Sequence, residues 1–147
     1  MIRRILYVLF ALLLIAQFFR PTMENPPADP ANDMLVRTNA PADISALVRS
    51  ACYDCHSNTT VHPWYTAITP VNYWMRSHIE DGRRHLNFSE WDRYATNKHA
   101  REAGEEVAEG EMPPGYYKLT HADARMSDGD KAKLVAWLNA HLGSEEH

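Results

Sequence analysis

The sequence is poor in cysteine, in positive charge and in strand-like alternation, and each shortage excludes a class of protein. Two cysteines among 147 residues are too few for a secreted disulfide framework. With 15 basic and 19 acidic side chains, the formal net charge is −4, and nucleic acid is therefore not an expected partner. No stretch alternates polar and apolar residues between turn signals, so the sequence predicts an all-α fold.

An apolar run lies at the N-terminus, where Arg3 and Arg4 precede the stretch from Ile5 to Phe19. A helix of this length spans roughly 22 Å, less than the roughly 30 Å hydrocarbon layer. The run ends in bulky residues and Arg20 rather than in small A-x-A residues, which favours an anchor over a cleaved signal peptide. Residues 1–20 are predicted to tether the chain to the inner (cytoplasmic) membrane in a single pass, with the remainder on the periplasmic side.

Proline marks the next segment. Five of the nine prolines fall between Pro21 and Pro41, so residues 21–41 are predicted to be a semi-rigid linker that holds a domain away from the membrane. The domain itself is predicted over residues 42–143.

Capping residues and apolar periodicity predict four helices in this domain. They are one capped by Asp43 that leads into Cys52, one from about Val71 to Gly82, one from Ser89 to about Glu109 with a break at Gly104, and one capped by Ser127 and Asp130 that ends near Gly143. The last helix carries an apolar stripe and is expected to pack against the first.

The two cysteines and a histidine form the sequence Cys52-Tyr53-Asp54-Cys55-His56. On a helical turn, residues three and four positions after Cys52 share its face. Two thiols could therefore form thioethers with the two vinyl groups of one haem while His56 reaches the iron. A thioredoxin-like redox pair would need a βαβ setting, and a zinc site would need further ligands. The motif predicts one covalent haem c, with His56 as the proximal ligand.

A second iron ligand is expected from Met112, in the loop Glu111-Met112-Pro113-Pro114, because prolines fix the backbone and can hold a thioether opposite His56. The alternative methionines, Met75 and Met126, are each explained by packing. His78 and His121 stay open as alternatives, since iron with two histidine ligands is chemically sound.

The attachment motif followed by Ser57-Asn58, together with Pro63-Trp64-Tyr65, Leu86 to Trp91 and Met112-Pro113, resembles the bacterial haem-binding domain family of cytochrome c-like proteins. The agreement runs over most of the chain after the linker. The resemblance implies an exported monohaem domain with a cytochrome c-like helical fold, in which Cys52, Cys55 and His56 bind the haem. It does not imply a particular reaction.

These observations favour a membrane-tethered electron carrier that is not an enzyme and that exchanges electrons with redox proteins. Two alternatives stay open. In the first, the distal iron position is open, and the protein is a haem-based peroxidase or a gas sensor with His78, His121 or a glutamate near Met112 as the acid-base group. In the second, the haem stabilises a subunit of a respiratory complex.

Overall fold

A computed structural model describes residues 1–142, and within them the chain forms helices and turns without any strand, which confirms the all-α prediction. The α-helices are α1 (Ile2–Ala16), α2 (Met34–Arg37), α3 (Ala42–Ala51), α4 (Tyr53–His56), α5 (Val71–His85), α6 (Trp91–Tyr94), α7 (Lys98–Glu109), α8 (Gly115–Thr120) and α9 (Asp128–His141). Short 3₁₀ helices at Pro30–Asn32, Trp64–Ala67, Phe88–Glu90 and Ala122–Ala124 connect them.

Helix α9 lies at the centre of the core, where it packs against both α7 and α3, the second of these contacts being the predicted one. Its apolar stripe is covered, with Leu134, Trp137 and Leu138 at most 9% exposed. Ser127 caps the helix as predicted, because its Oγ accepts a hydrogen bond of 3.1 Å from the Asp130 amide. The expected end of the domain at residue 143 lies outside the described residues.

The predicted N-cap of the first domain helix is wrong by two residues. Helix α3 begins at Ala42 after Pro41, and Asp43 lies in its first turn. The Asp43 carboxylate accepts a hydrogen bond of 2.6 Å from Lys133 Nζ of α9. Asp43 therefore joins two helices as well as lying at the positive end of its own helix.

Gly82 does not end a helix, because α5 continues through it to His85. The glycine is needed for packing: a Cβ atom at position 82 would lie 2.6 Å from the carbonyl oxygen of Cys55. Helix α5 thus approaches the cysteine motif more closely than a residue with a side chain would permit.

The predicted helix from Ser89 to Glu109 is interrupted near Asn97 and not at Gly104. Asn97 caps α7 through a 2.9 Å hydrogen bond from the His99 amide to its Oδ1. Gly104 stays helical and buried, and a Cβ atom there would overlap the amide group of Asn139 on α9. Like Gly82, it marks a close contact between helices.

Helix α1 consists of exposed, mostly apolar side chains. Within residues 1–142, no helix has both the length and the apolarity needed to cross a membrane. The end of α1 contacts the domain directly, since Gln17 Nε2 donates to Thr69 O at 2.9 Å and Gln17 Oε1 accepts from the Thr69 amide at 3.0 Å.

The segment 21–41, predicted as a spacer, is bound along the domain and does not extend away from it. Asn25 Nδ2 donates to Thr60 O at 2.9 Å. Met34 is fully buried and Leu35 is 4% exposed, both as part of the hydrophobic core. The prediction gave proline too much weight here, because the apolar Met34-Leu35 pair stabilises a docked conformation.

Candidate haem site

A cavity of about 330 Å³ lies between α3, α4, α5, α7 and the loop that leads into α8. All four residues predicted to hold the haem line it, namely Cys52, Cys55, His56 and Met112. The rest of its wall is mainly apolar and includes Val48, Ala51, Leu86, Phe88, Val107 and Leu138. Its volume is within the range of about 300–1,000 Å³ typical of small-molecule and cofactor sites.

The cysteine motif lies at the junction of two helices. Helix α3 ends at Ala51, Cys52 is its C-cap, and α4 forms a single turn in which the His56 amide donates to Cys52 O at 2.9 Å. This turn directs both thiols and the imidazole into the same cavity. Tyr53 fixes the turn from behind, because it is buried and its hydroxyl donates to Asp33 Oδ1 at 2.7 Å.

The imidazole of His56 is oriented by the backbone of the neighbouring segment. His56 Nδ1 lies 3.0 Å from Leu86 O, and because a carbonyl oxygen only accepts, Nδ1 carries the proton. The lone pair is then on Nε2, the atom available for iron. Burial lowers the pKa of His56, so the ring is neutral at neutral pH, as a metal ligand must be.

The two thiols also suit an apolar ligand. Cys52 and Cys55 are free, and burial raises the pKa of Cys52 to about 12 and that of Cys55 to about 11. Both therefore keep their protons at neutral pH. The cavity wall then presents two neutral sulfur atoms.

Met112 is held over the cavity by the end of α7. The left-handed backbone of Gly110, with φ of 87°, ends this helix, and the Met112 amide then donates to Glu106 O at 3.0 Å. The side chain of Met112 packs against the hydrophobic core and lines the same cavity as His56. Met75, in contrast, lines a separate small pocket, so Met112 is the methionine that the structure brings to the motif.

Of the two histidines predicted as alternative iron ligands, one lines the cavity and the other lies outside it. His78 lines the cavity, whereas His121 lies outside it, stacked on Tyr117 with ring centroids 3.9 Å apart. His85 and His99 also line the cavity, with centroids 5.0 Å apart, and sequence reasoning missed them. The seven-residue spacing of His78 and His85 on one helix was the signal that would have found the first of them.

Asp54, inside the motif, connects it to the surrounding loops. Its Oδ2 accepts from the Tyr117 hydroxyl at 2.8 Å, and its Oδ1 accepts from the Val61 amide at 2.9 Å. The Thr60 hydroxyl donates to Asp54 O at 2.6 Å. These contacts fix the outer side of α4, and Tyr117 itself lines the cavity.

Within residues 1–142, a helical fold in which His56, two free thiols and a methionine line one mainly apolar cavity has the features of a haem-binding protein. A family model described as a haem-binding domain matches residues 11–140, and the chain belongs to this family. Searches among curated proteins and among solved structures found no match.

Proposed function

We propose that the protein is a c-type cytochrome, with one haem bound covalently through Cys52 and Cys55, that transfers electrons and is not an enzyme. The observation that carries this proposal is the meeting of both cysteines, His56 and Met112 in one apolar cavity. Membership of the haem-binding domain family supports the binding of haem. The covalent bonds and the electron transfer are inferences from the residues that surround the cavity.

The chain supplies two kinds of bond to the haem. Cys52 and Cys55 would each hold the haem by addition of the S–H across one vinyl group, which would form a C–S and a C–H bond and consume no oxidant or reductant. His56 Nε2 would bind the iron, because the hydrogen bond from Nδ1 to Leu86 O keeps the ring in the required tautomer.

A bound haem would supply an iron that changes between the ferrous and ferric states. Met112 and the apolar wall would favour the less charged ferrous state and so raise the reduction potential. The same wall, with Val107 and Leu138 among its residues, would limit the access of water to a bound iron.

A membrane tether is the second part of the proposal. The exposed apolar residues of α1 follow Arg3 and Arg4, an arrangement that favours insertion with the arginines in the cytoplasm and the haem domain in the periplasm. The partners of the haem domain would then be other redox proteins on the periplasmic side of the inner membrane.

The ligand assignment is tested by the mass and the optical spectrum of the purified protein. We expect one haem in the intact mass after denaturation and a low-spin spectrum with the far-red sulfur–iron band. Met112→Ala should abolish this band and lower the reduction potential. Met126→Ala is the matched control, because Met126 packs against the core and does not line the cavity. Persistence of the band in Met112→Ala would overturn the assignment.

A distal site open to gases or peroxide is the second candidate, because His78, His85 and His99 line the cavity and offer acid-base groups. Rapid carbon monoxide binding by the untreated ferrous protein would favour it. Slow binding that becomes fast in Met112→Ala would favour the electron carrier instead.

A further inference from the structure

The segment from Val61 to Met75 contains no Asp, Glu, Lys or Arg. Several of its large apolar side chains are nevertheless exposed, with Trp64 78% and Val61 73% accessible. Contiguous patches of exposed apolar side chains are uncommon on a monomer and mark interaction surfaces. We call the following residues the uncharged face: Val61, Trp64, Ile68, Tyr73, Trp74, Tyr116 and Leu119.

Residues from two parts of the chain form this face as one surface. The rings of Trp74 and Tyr116 have centroids 4.8 Å apart, which brings the start of α5 against α8. The Tyr65 hydroxyl donates to Thr120 Oγ1 at 3.4 Å, which brings the Trp64–Ala67 turn against the end of α8. Leu119, which is 77% exposed, lies on the same short helix.

Helix α1 joins the domain at this face. In addition to the two bonds between Gln17 and Thr69, the Tyr73 hydroxyl donates to Phe19 O at 3.3 Å. Phe18 is 88% and Phe19 66% exposed at the junction. The apolar surface of α1 therefore continues without a spacer into the uncharged face.

The composition of the face, together with its continuity with α1, suits the interface of a bilayer. Tryptophan and tyrosine are enriched at the membrane–water interface, because the apolar ring can contact lipid while the polar edge contacts water. Basic residues border the face, since Arg20 Nε donates to Gln17 O at 2.9 Å and Arg125 Nε to the carbonyl of Lys118 at 2.6 Å. Cations in these places can attract anionic lipid headgroups.

We infer that the uncharged face rests on the lipid surface of the membrane in which α1 is anchored. This inference depends on the proposed tether. The haem domain then lies directly on the bilayer, and the membrane fixes its orientation. His78 and Tyr116 line the cavity, and their rings meet edge to face with centroids 5.4 Å apart, so that side of the cavity would face the lipid headgroups.

The test uses the haem-loaded full chain in vesicles of phosphatidylethanolamine and phosphatidylglycerol that contain a phospholipid with a photoactivatable group near the glycerol. After illumination, mass spectrometry locates the lipid adducts. We expect adducts on α1 and, severalfold above background, on peptides that contain Trp64 and Leu119. Val36 is the internal control, because it is 54% exposed and apolar but lies outside the face.

A charge placed on the face should release it from the lipid. Ile68→Glu with Leu119→Glu should reduce adducts over residues 61–74 severalfold and leave those on α1 unchanged, whereas Val36→Glu should change neither. The haem spectrum of each variant verifies that the domain is folded. Adducts confined to residues 1–20 of the parent protein would overturn the inference, leave the tether standing and assign the face to a protein partner. A chain that stays in the vesicle-free fraction would overturn the tether itself.

Discussion

The buried core behind the cavity and the uncharged face are built from the same kinds of side chain, but the core is covered and the face is not. Tyr116 lies at their boundary, because it belongs to the face and also lines the cavity. Tyr116 and Tyr117 show the contrast within two residues of α8: Tyr116 is 42% exposed, whereas Tyr117 is 7% exposed and donates to Asp54. Successive residues of a helix point about 100° apart, so adjacent tyrosines reach different surroundings. Residue type alone does not separate a core aromatic from a surface aromatic, and the partner of each must be known.

This contrast gives a general expectation. A substitution in the buried core or at the cavity should lower the haem content or the free energy of unfolding, because buried groups lose packing and hydrogen bonds that nothing replaces. A similar substitution on the uncharged face should leave both the haem content and the free energy of unfolding nearly unchanged in solution.

The largest effect is expected from Cys52→Ser with Cys55→Ser. Without thiols no thioether forms, and we expect complete loss of the haem that remains on the chain after denaturation. The matched variant on the face, Trp64→Ser, should keep the full haem content. Intact mass and haem staining after denaturing electrophoresis measure both. Haem retained by the double variant under these conditions would show that the cysteines are not its attachment points.

Met34→Ala should give the next largest effect. Met34 is fully buried, and truncation of such a side chain costs about 2–5 kcal/mol through lost transfer free energy and the cavity that is left. Leu119→Ala, at a 77% exposed position of the face, should change the free energy of unfolding by less than about 0.5 kcal/mol. Urea titrations of the haem-loaded proteins compare them. Equal values would mean that the 21–41 segment is a spacer after all.

The convergence of the motif residues on one cavity was predictable because their spacing is a local signal. The spacing of Cys52, Cys55 and His56 determines that all three share one helical turn, whatever surrounds it. The sequence also singled out the proline-containing loop around Met112, although the position of this loop over the cavity depends on the end of α7 at Gly110. The last helix was predicted from Ser127 and its apolar stripe, which are again local signals.

The errors share a cause, because each involved a residue whose role is set by distant parts of the chain. In sequence, Gly82 resembles the end of a helix. In the structure, a glycine is needed there because the carbonyl of Cys55, 27 positions away, leaves no room for a side chain. Gly104 resembles a break, but it accommodates Asn139. The proline-rich segment was interpreted from its composition, and the burial of Met34 and Leu35 outweighed it.

Gly82→Ala should destabilise the covered region by about 1–3 kcal/mol, the usual cost of overpacking, because the added Cβ would lie 2.6 Å from Cys55 O. The clash would also shift α4, so haem incorporation during expression should fall. Gly115→Ala is the matched control beside the face, where an added Cβ meets nothing within 4 Å. That variant should be neutral or stabilised by up to about 1 kcal/mol. Denaturant midpoints and haem-to-protein ratios measure the pair. If both variants behave alike, helices α4 and α5 are not in close contact.

The adjacent tyrosines allow the smallest and most selective comparison. Tyr117→Phe removes a hydroxyl that donates to Asp54 Oδ2 at 2.8 Å and contacts Ser50 O at 3.2 Å, and it leaves the ring in place. A lost hydrogen bond of this kind costs about 0.5–1.5 kcal/mol, and up to about 3 kcal/mol when the acceptor is charged. Tyr116→Phe changes the neighbouring, more exposed hydroxyl and should cost less. Denaturant titrations of both variants in the haem-loaded state measure the difference. A loss in Tyr116→Phe that equals or exceeds that in Tyr117→Phe would contradict the assignment of Asp54 as the group that holds α8 against the haem motif.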